Sequence, residues 1–316
     1  MTFDRRSLLA ALPALALLPG CTSPGVDPVA EEPPPPQAIP AAWQAAQAAL
    51  ASLEARSGGR LGAYVLETGT GQGFGHRPDE RFAMCSTFKM SLAGVILMEI
   101  EAGRLAFDQR VPLTQADMFD TVAPIARASL AQGYMTVGQM AEGTQKTSDN
   151  ICANMLLRLI EGPEGFTRRL RALGDEVTRV DRYEPEMNLV PPGEVRDTTS
   201  PAAHALLMKR LLLDQDALSE ANRQLLIQWM IDTQTGLRRI RAGLPQGWRA
   251  GDKTGTGYNE GSGNSTNDIA IFWPPGRAPV IVTAYLNTPY FEGIRDEDQA
   301  VLAEVGRIAA AAVMAT

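Results

Sequence analysis

Two side chains three residues apart, Ser86 and Lys89 in Ser86-Thr87-Phe88-Lys89, are the first pair able to do chemistry together. The stretch enters an apolar run (Met90, Leu92, Val95, Ile96) that predicts a helix, and residues three apart on a helix share a face. A serine hydroxyl is a weak nucleophile until a neighbour removes its proton. A desolvated lysine does so as the neutral amine. The N–H of a residue at a helix start also points toward developing negative charge. Ser148-Asp149-Asn150 precedes a second apolar helix, and Lys253-Thr254-Gly255-Thr256 lies in a glycine-rich strand. There a lysine and two threonine hydroxyls alternate along a strand edge, which suits a substrate carboxylate, and the strand offers a second backbone N–H to an oxyanion. Each spacing alone has an ordinary explanation: a helix cap for the two serine motifs, a turn for the glycines. Lys253 lacks the GxxxxGK spacing of a phosphate loop.

These groups need a scaffold, and the chain supplies it in blocks. Ala41 to Arg56 is an alanine-rich helical stretch ended by Gly58-Gly59. Leu61 to Glu67 has strand character, and glycines at 69, 71, 73 and 75 punctuate a hairpin; their spacing fails GxGxxG. From Ser86 to about Met230 apolar residues recur at three- and four-residue spacings. Asp252 to Thr256, Asn267 to Trp273 and Val280 to Asn287 read as strands. Asp296-Glu297-Asp298 then opens a long C-terminal helix, where acids suit the dipole. Strands at both ends with helices between them predict an α+β fold: one antiparallel five-stranded sheet flanked by helices, with an inserted all-helical subdomain. The α/β part spans about 41–80 and 231–316, the helical part about 81–230.

Composition narrows the chemistry. The chain has 316 residues, 29 basic against 36 acidic, and a formal charge of −7, so no basic excess exists to meet a nucleic-acid backbone. Three cysteines (21, 85, 152) without CxxC spacing and two histidines without HExxH disfavour a disulfide scaffold and a metal hydrolase. No GxSxG elbow exists for a Ser-His-Asp hydrolase, and His76 and His204 read as structural or surface residues.

Taken in order, SxxK, SDN and KTG resemble the signature of the penicillin-recognising serine acyl-enzymes, β-lactamases and penicillin-binding proteins. Three further stretches resemble class A serine β-lactamases. They are Arg182-Tyr183-Glu184-Pro185-Glu186-Met187-Asn188 (the RxExxxN loop), Arg196-Asp197-Thr198-Thr199-Ser200-Pro201 closing that loop, and Asn267-Asp268-Ile269-Ala270. The resemblance covers residues 41–316. It implies acylation of Ser86 by a β-lactam carbonyl, with Lys89, or Glu184 through a water, as the base. It implies that Glu184 and Asn188 activate the deacylating water, and that Ser148 relays a proton to the lactam nitrogen. Asn150 would bind the substrate's amide side chain, and Lys253, Thr254, Gly255 and Thr256 its carboxylate, with the N–H groups of Ser86 and Thr256 as oxyanion hole. Asp197 would pair with Arg182. Arg239, between Arg238 and Arg241, resembles an arginine near that carboxylate, a role open to its two neighbours. No cofactor or metal is implied, and a monomer acting on a small molecule is. The alternative is a penicillin-binding D,D-peptidase, or a non-catalytic cell-wall-binding lipoprotein.

Two stretches depart from the pattern. Val122 stands where the family commonly has an aromatic, a wall that Phe119 or Tyr134 could supply. Thr256 to Thr266 is longer than the usual hairpin, and its Gly/Ser/Asn composition predicts a flexible insertion. Cys85 precedes the nucleophile, with Cys152 as a candidate disulfide partner or both as buried thiols. At the N-terminus, Arg5-Arg6 before a short apolar run reads as a twin-arginine or an ordinary export signal over residues 1–20. Leu18-Pro19-Gly20-Cys21 resembles a lipobox that would lipidate Cys21, and the Pro-rich residues 21–40 form a spacer. These features predict an exported, periplasmic protein tethered to a membrane.

Overall fold

A computed structural model describes residues 39–316. The export signal, Cys21 and nearly all of the Pro-rich spacer lie outside the described residues.

Helix α1 (Ala41–Ser57) runs through the alanine-rich stretch and stops at Gly58, whose φ of 69° is left-handed. Strands β1 (Arg60–Glu67) and β2 (Gln72–His76) form the predicted hairpin, and β3 (Phe82–Ala83) leads into the turn carrying Ser86. Helix α2 (Phe88–Glu101) is almost wholly buried, as its unbroken apolar run requires. After β4 (Arg110–Pro112), α3 (Pro124–Ser129) and β5 (Tyr134–Thr136) come α4 (Val137–Lys146), α5 (Asn150–Leu159) and α6 (Gly162–Ala172). Helix α4 opens on a Thr136–Gln139 capping box, and α5 on Asp149, whose carboxylate accepts the Cys152 N–H at 2.8 Å.

A long loop returns at β6 (Thr198–Thr199), which pairs with β3. Helices α7 (Pro201–Leu212) and α8 (Glu220–Asp232) follow, then β7 (Arg249–Asn259), β8 (Gly263–Trp273), β9 (Val280–Thr288) and α9 (Asp296–Met314). The five-stranded antiparallel sheet has the order β2-β1-β9-β8-β7. Pairing of β1 with β9, from Arg60↔Asn287 to Glu67↔Val280, joins the two ends of the chain. Helix α7, inside the stretch read as the helical insertion, packs against β1 and β9.

Two cores hold these layers. One lies between the sheet and the terminal helices: Trp43, Leu50, Leu61, Val65, Phe272, Val282, Leu302 and Val305. The other, around α2, includes Phe88, Leu92, Ile96, Met140, Ile151, Phe166 and Leu211. Burying each such side chain stabilises the fold by roughly 2 kcal/mol. The edge strand β7 and the buried helix α2 thus meet where the two layers join.

One expectation is corrected. The stretch after KTG is not a flexible insertion but regular antiparallel ladder, paired from Thr256↔Thr266 to Asn259↔Gly263. Its composition belongs to the turn at its tip, where Gly263 takes a φ of 77°. Cys85 and Cys152 are both buried and free.

Candidate active site

Ser86 sits in a one-turn 3-10 helix, Cys85–Thr87, at the head of α2. Cys85 has a φ of 46°, a left-handed value that costs a residue with a side chain on the order of 1 kcal/mol. One turn on, Lys89 is fully buried, and its Nζ lies 2.8 Å from Ser86 Oγ. The same ammonium donates to Ser148 O at 3.0 Å, approaches Ser148 Oγ at 3.4 Å, bonds Asn150 Oδ1, and pairs with Glu184 Oε1 at 3.0 Å.

Glu184 reaches this place from the loop of residues 181–197. Asn154 of α5 clamps its backbone twice, donating to its carbonyl and accepting its N–H, both at 2.9 Å. Its Oε1 is 3.4 Å from Ser86 Oγ, while Oε2 accepts from Asn188 Nδ2 at 2.6 Å. The loop's two ends are tied by Asp197: Oδ2 pairs with Arg182 Nε at 2.5 Å, and Oδ1 accepts the N–H groups of Asp181 and Arg182. Asn154 escaped the sequence reading. Its only signal is a polar residue four positions after Asn150 inside an apolar helical run.

Ser148 has a φ of 59°, and its hydroxyl stands between two ammonium groups, Lys89 and Lys253, the latter at 3.0 Å. With both as donors, the hydroxyl accepts twice and keeps its own proton to give. Asp149 locks the segment by accepting from the N–H groups of Ile125 and Ala126. Asn150 donates to Thr121 Oγ1 at 2.5 Å, and its N–H reaches Val122 O.

Lys253 is fully buried in β7. Burial, and then the Lys89 charge, push its ammonium down to about 7, opposed by Asp252 and Asp268. Arg239 lies beside the same strand, its Nη2 donating to Thr256 Oγ1 at 2.7 Å and its Nη1 to the carbonyls of Gly255 and Asn267. Arg241 instead pairs with Asp252, and Arg238 faces Asp296 at the surface. Of the three arginines, Arg239 is the one at this wall. Thr254 Oγ1 meets Thr235 Oγ1 at 2.8 Å.

The glycines of this strand are there for room. A Cβ at Gly255 would lie 2.5 Å from Met84 O, and one at Gly257 would lie 3.0 Å from Cys85 Sγ. No side chain fits between β7 and the Ser86 turn at Gly255. Val122 is 59% exposed, Phe119 packs on the core, and Arg110 covers the Tyr134 ring at 4.5 Å.

Chemically the arrangement places a hydroxyl, an amine and a carboxylate within 3.4 Å of one another, beside a cationic wall for an anion. A family model described as the β-lactamase enzyme family matches residues 45–313. β-Lactamase L2 of Stenotrophomonas maltophilia is 44% identical over 82% of this chain and 83% of its own length. β-Lactamase AST-1 of Nocardia asteroides is 40% identical over 96% of this chain and 94% of its own. Among solved structures, the class A β-lactamase of the last common ancestor of Gram-negative bacteria superposes with a TM-score of 0.80. It is 48% identical and covers 85% of this chain and 99% of its own. A β-lactamase from Xanthomonas campestris gives 0.80 at 43% identity, covering 86% and 98%.

Proposed function

Because this chain belongs to the class A serine β-lactamases, which hydrolyse the β-lactam amide bond and confer resistance, we propose how its own residues divide that reaction. The observation that carries the assignment is the Ser86–Lys89–Glu184 triangle, with sides of 2.8, 3.0 and 3.4 Å. Ser86 Oγ attacks the lactam carbonyl. Passing one proton from Lys89 to Glu184 across their 3.0 Å contact leaves a neutral amine at the shorter distance from the hydroxyl, so Lys89 is the acylation base. The carbonyl oxygen takes up charge against the N–H groups of Ser86 and Thr256; β7 is the edge strand of the sheet, so among the described residues its outer backbone groups face no other strand. Ser148 gives its proton to the departing nitrogen and recovers one from Lys89. The C–N bond breaks, leaving an ester on Ser86.

Glu184 first returns its proton to Lys89, which acylation leaves neutral, across the same 3.0 Å contact. As a carboxylate it then takes a proton from a water that attacks this ester, and that proton passes to Ser86, which leaves as the alcohol. Asn188 shares that water: its Nδ2 holds Glu184, and its Oδ1 is buried with no hydrogen-bond partner among the described residues. Lys253, Thr254, Thr256 and Arg239 hold the substrate carboxylate, and Asn150 its amide side chain. A D,D-peptidase needs no carboxylate aimed at water, so Glu184 favours the hydrolase. Nitrocefin separates the two: many turnovers per molecule are expected, and one stoichiometric acylation would contradict the assignment.

The lysine wall has a pH signature. With its ordinary value lowered to about 7, Lys253 is an ammonium below that pH and an amine above it. Only the ammonium attracts a carboxylate, so kcat/KM for a penicillin falls above pH 7, by about tenfold near pH 8, and Lys253→Arg moves that limb upward. A limb unmoved by Lys253→Arg would remove Lys253 from carboxylate recognition.

The protein is exported to the periplasm and tethered through a lipid on Cys21, the Pro-rich spacer lying between lipid and enzyme. Fatty-acid labelling of wild type but not Cys21→Ala is expected; equal labelling would contradict the tether.

A further inference from the structure

Residues 190–195 of the loop that carries Glu184 wall a cavity of about 490 Å³, which Phe82 of β3 also lines. That volume lies within the roughly 300–1,000 Å³ of small-molecule sites. Ser86, Lys89, Glu184 and Lys253 are not among its walls, so the reaction just described leaves it unused. Val190, Pro191, Pro192 and Val195 give the loop side an apolar lining, and Val195 stays 46% exposed.

Four charged side chains reach this cavity, Arg60, Glu80, Arg81 and Glu194, and their pairing decides what it can take. Arg60 stacks on the Phe82 ring, 3.9 Å from its centroid, and its Nε and Nη2 both go to Glu80 Oε2, at 3.2 and 2.7 Å. Glu194 pairs with Arg196 at 2.5 Å and accepts the N–H groups of Val195 and Arg196. Arg81 is different. Its Nη1 donates to Val177 O at 2.9 Å and to Thr198 Oγ1 at 3.0 Å, which fixes the side chain. Its Nε and Nη2 have no partner among the described residues, and no carboxylate pairs with it. Burial, and then the charges of Arg179 and Arg171, lower its guanidinium from the ordinary value, against the pull of Asp175 and Asp181. An arginine stays a cation all the same, so Arg81 is short of negative charge. The Nε and Nη2 edge presents two parallel N–H groups, a fork that takes both oxygens of one carboxylate. Arg104 uses that edge on Glu99, at 2.7 and 2.9 Å.

We propose that this cavity is a second binding site, separate from the acyl-transfer centre, for an organic carboxylate with an aromatic or branched apolar body. The carboxylate docks on the open edge of Arg81, and the body lies against Phe82, Pro191, Pro192 and Val195. A neutral amide of the same shape has no charge for Arg81, and a small inorganic anion has no body for the apolar wall.

The test is equilibrium dialysis of the protein against biphenyl-4-carboxylate and against biphenyl-4-carboxamide. Lys253 also attracts carboxylates, so the dialysis is repeated on Glu184→Ala acylated at Ser86 by a penicillin. One equivalent of the carboxylate is expected to bind, with an affinity within about twofold of that in the acylated protein. The carboxamide binds about tenfold more weakly, the factor a charge-assisted pair contributes. Arg81→Gln removes the cation and Val195→Glu puts an acid on the cavity wall, so each weakens the carboxylate by about tenfold. Loss of binding on acylation would place the probe at the Lys253 wall and overturn the proposal. So would equal affinity for the carboxamide, unchanged affinity in the folded variants, or no binding up to about 1 mM probe. Should Arg81→Gln fail to fold, Val195→Glu, at an exposed position, decides. A Glu184→Ala protein that forms no ester would instead be a failure of the nucleophile assignment, and the two variants still decide on the cavity.

Discussion

Glu184→Ala mixed with a penicillin is expected to give one equivalent of acyl-enzyme and then stall. Its kcat falls by roughly 10² to 10⁴, the range general-base catalysis contributes. The reason is geometric. Glu184 is held by the Asn154 clamp and bonded to Asn188, so its carboxylate is fixed before substrate arrives. The variant loses the acceptor for the water's proton but keeps Lys89 2.8 Å from Ser86. Stopped-flow absorbance checks this: a burst of unit amplitude followed by a near-flat phase. Steady turnover at the wild-type rate would remove Glu184 from deacylation.

Lys89→Met fails at the earlier step. Methionine keeps much of the length of the side chain but carries no base, so the burst itself disappears and the acylation rate falls by about 10³ or more. The two variants divide the reaction between them, one stopping before the ester and one after it. Rapid acylation in Lys89→Met, with loss of the burst in Glu184→Ala, would transfer the role of acylation base to Glu184. Removing Lys89 also leaves the Glu184 carboxylate, fully buried, without its ion pair. A thermal melt of the variant therefore accompanies the kinetics.

What the sequence made legible follows from the kind of constraint each residue meets. Ser86, Lys89, Ser148, Glu184 and Lys253 stand in short motifs because a helix turn, a cap and a strand fix their local geometry, and local geometry is readable from spacing. The sheet was readable because β1 and β9 alternate or bury apolar residues at the two chain ends. Contacts between distant segments were not readable. Asn154 meets Glu184 across 30 positions of chain, and nothing local marks it. His204 reads as a bland histidine until α7 and β9 bring it to Tyr285. The three arginines at 238, 239 and 241 are told apart by neighbours from β7 and α9. The hairpin after KTG misleads because Gly, Ser and Asn suit both a loose loop and the turn of a paired ladder. Only the partner strand β8 decides between them.

The most direct measurement is peptide mapping by mass spectrometry of Glu184→Ala quenched after exposure to a penicillin. The predicted result is one penicilloyl mass increment per chain, carried by the peptide containing Ser86 and absent when Ser86 is replaced by Ala. An increment on another residue, or none while the wild-type protein still hydrolyses the drug, would contradict the account.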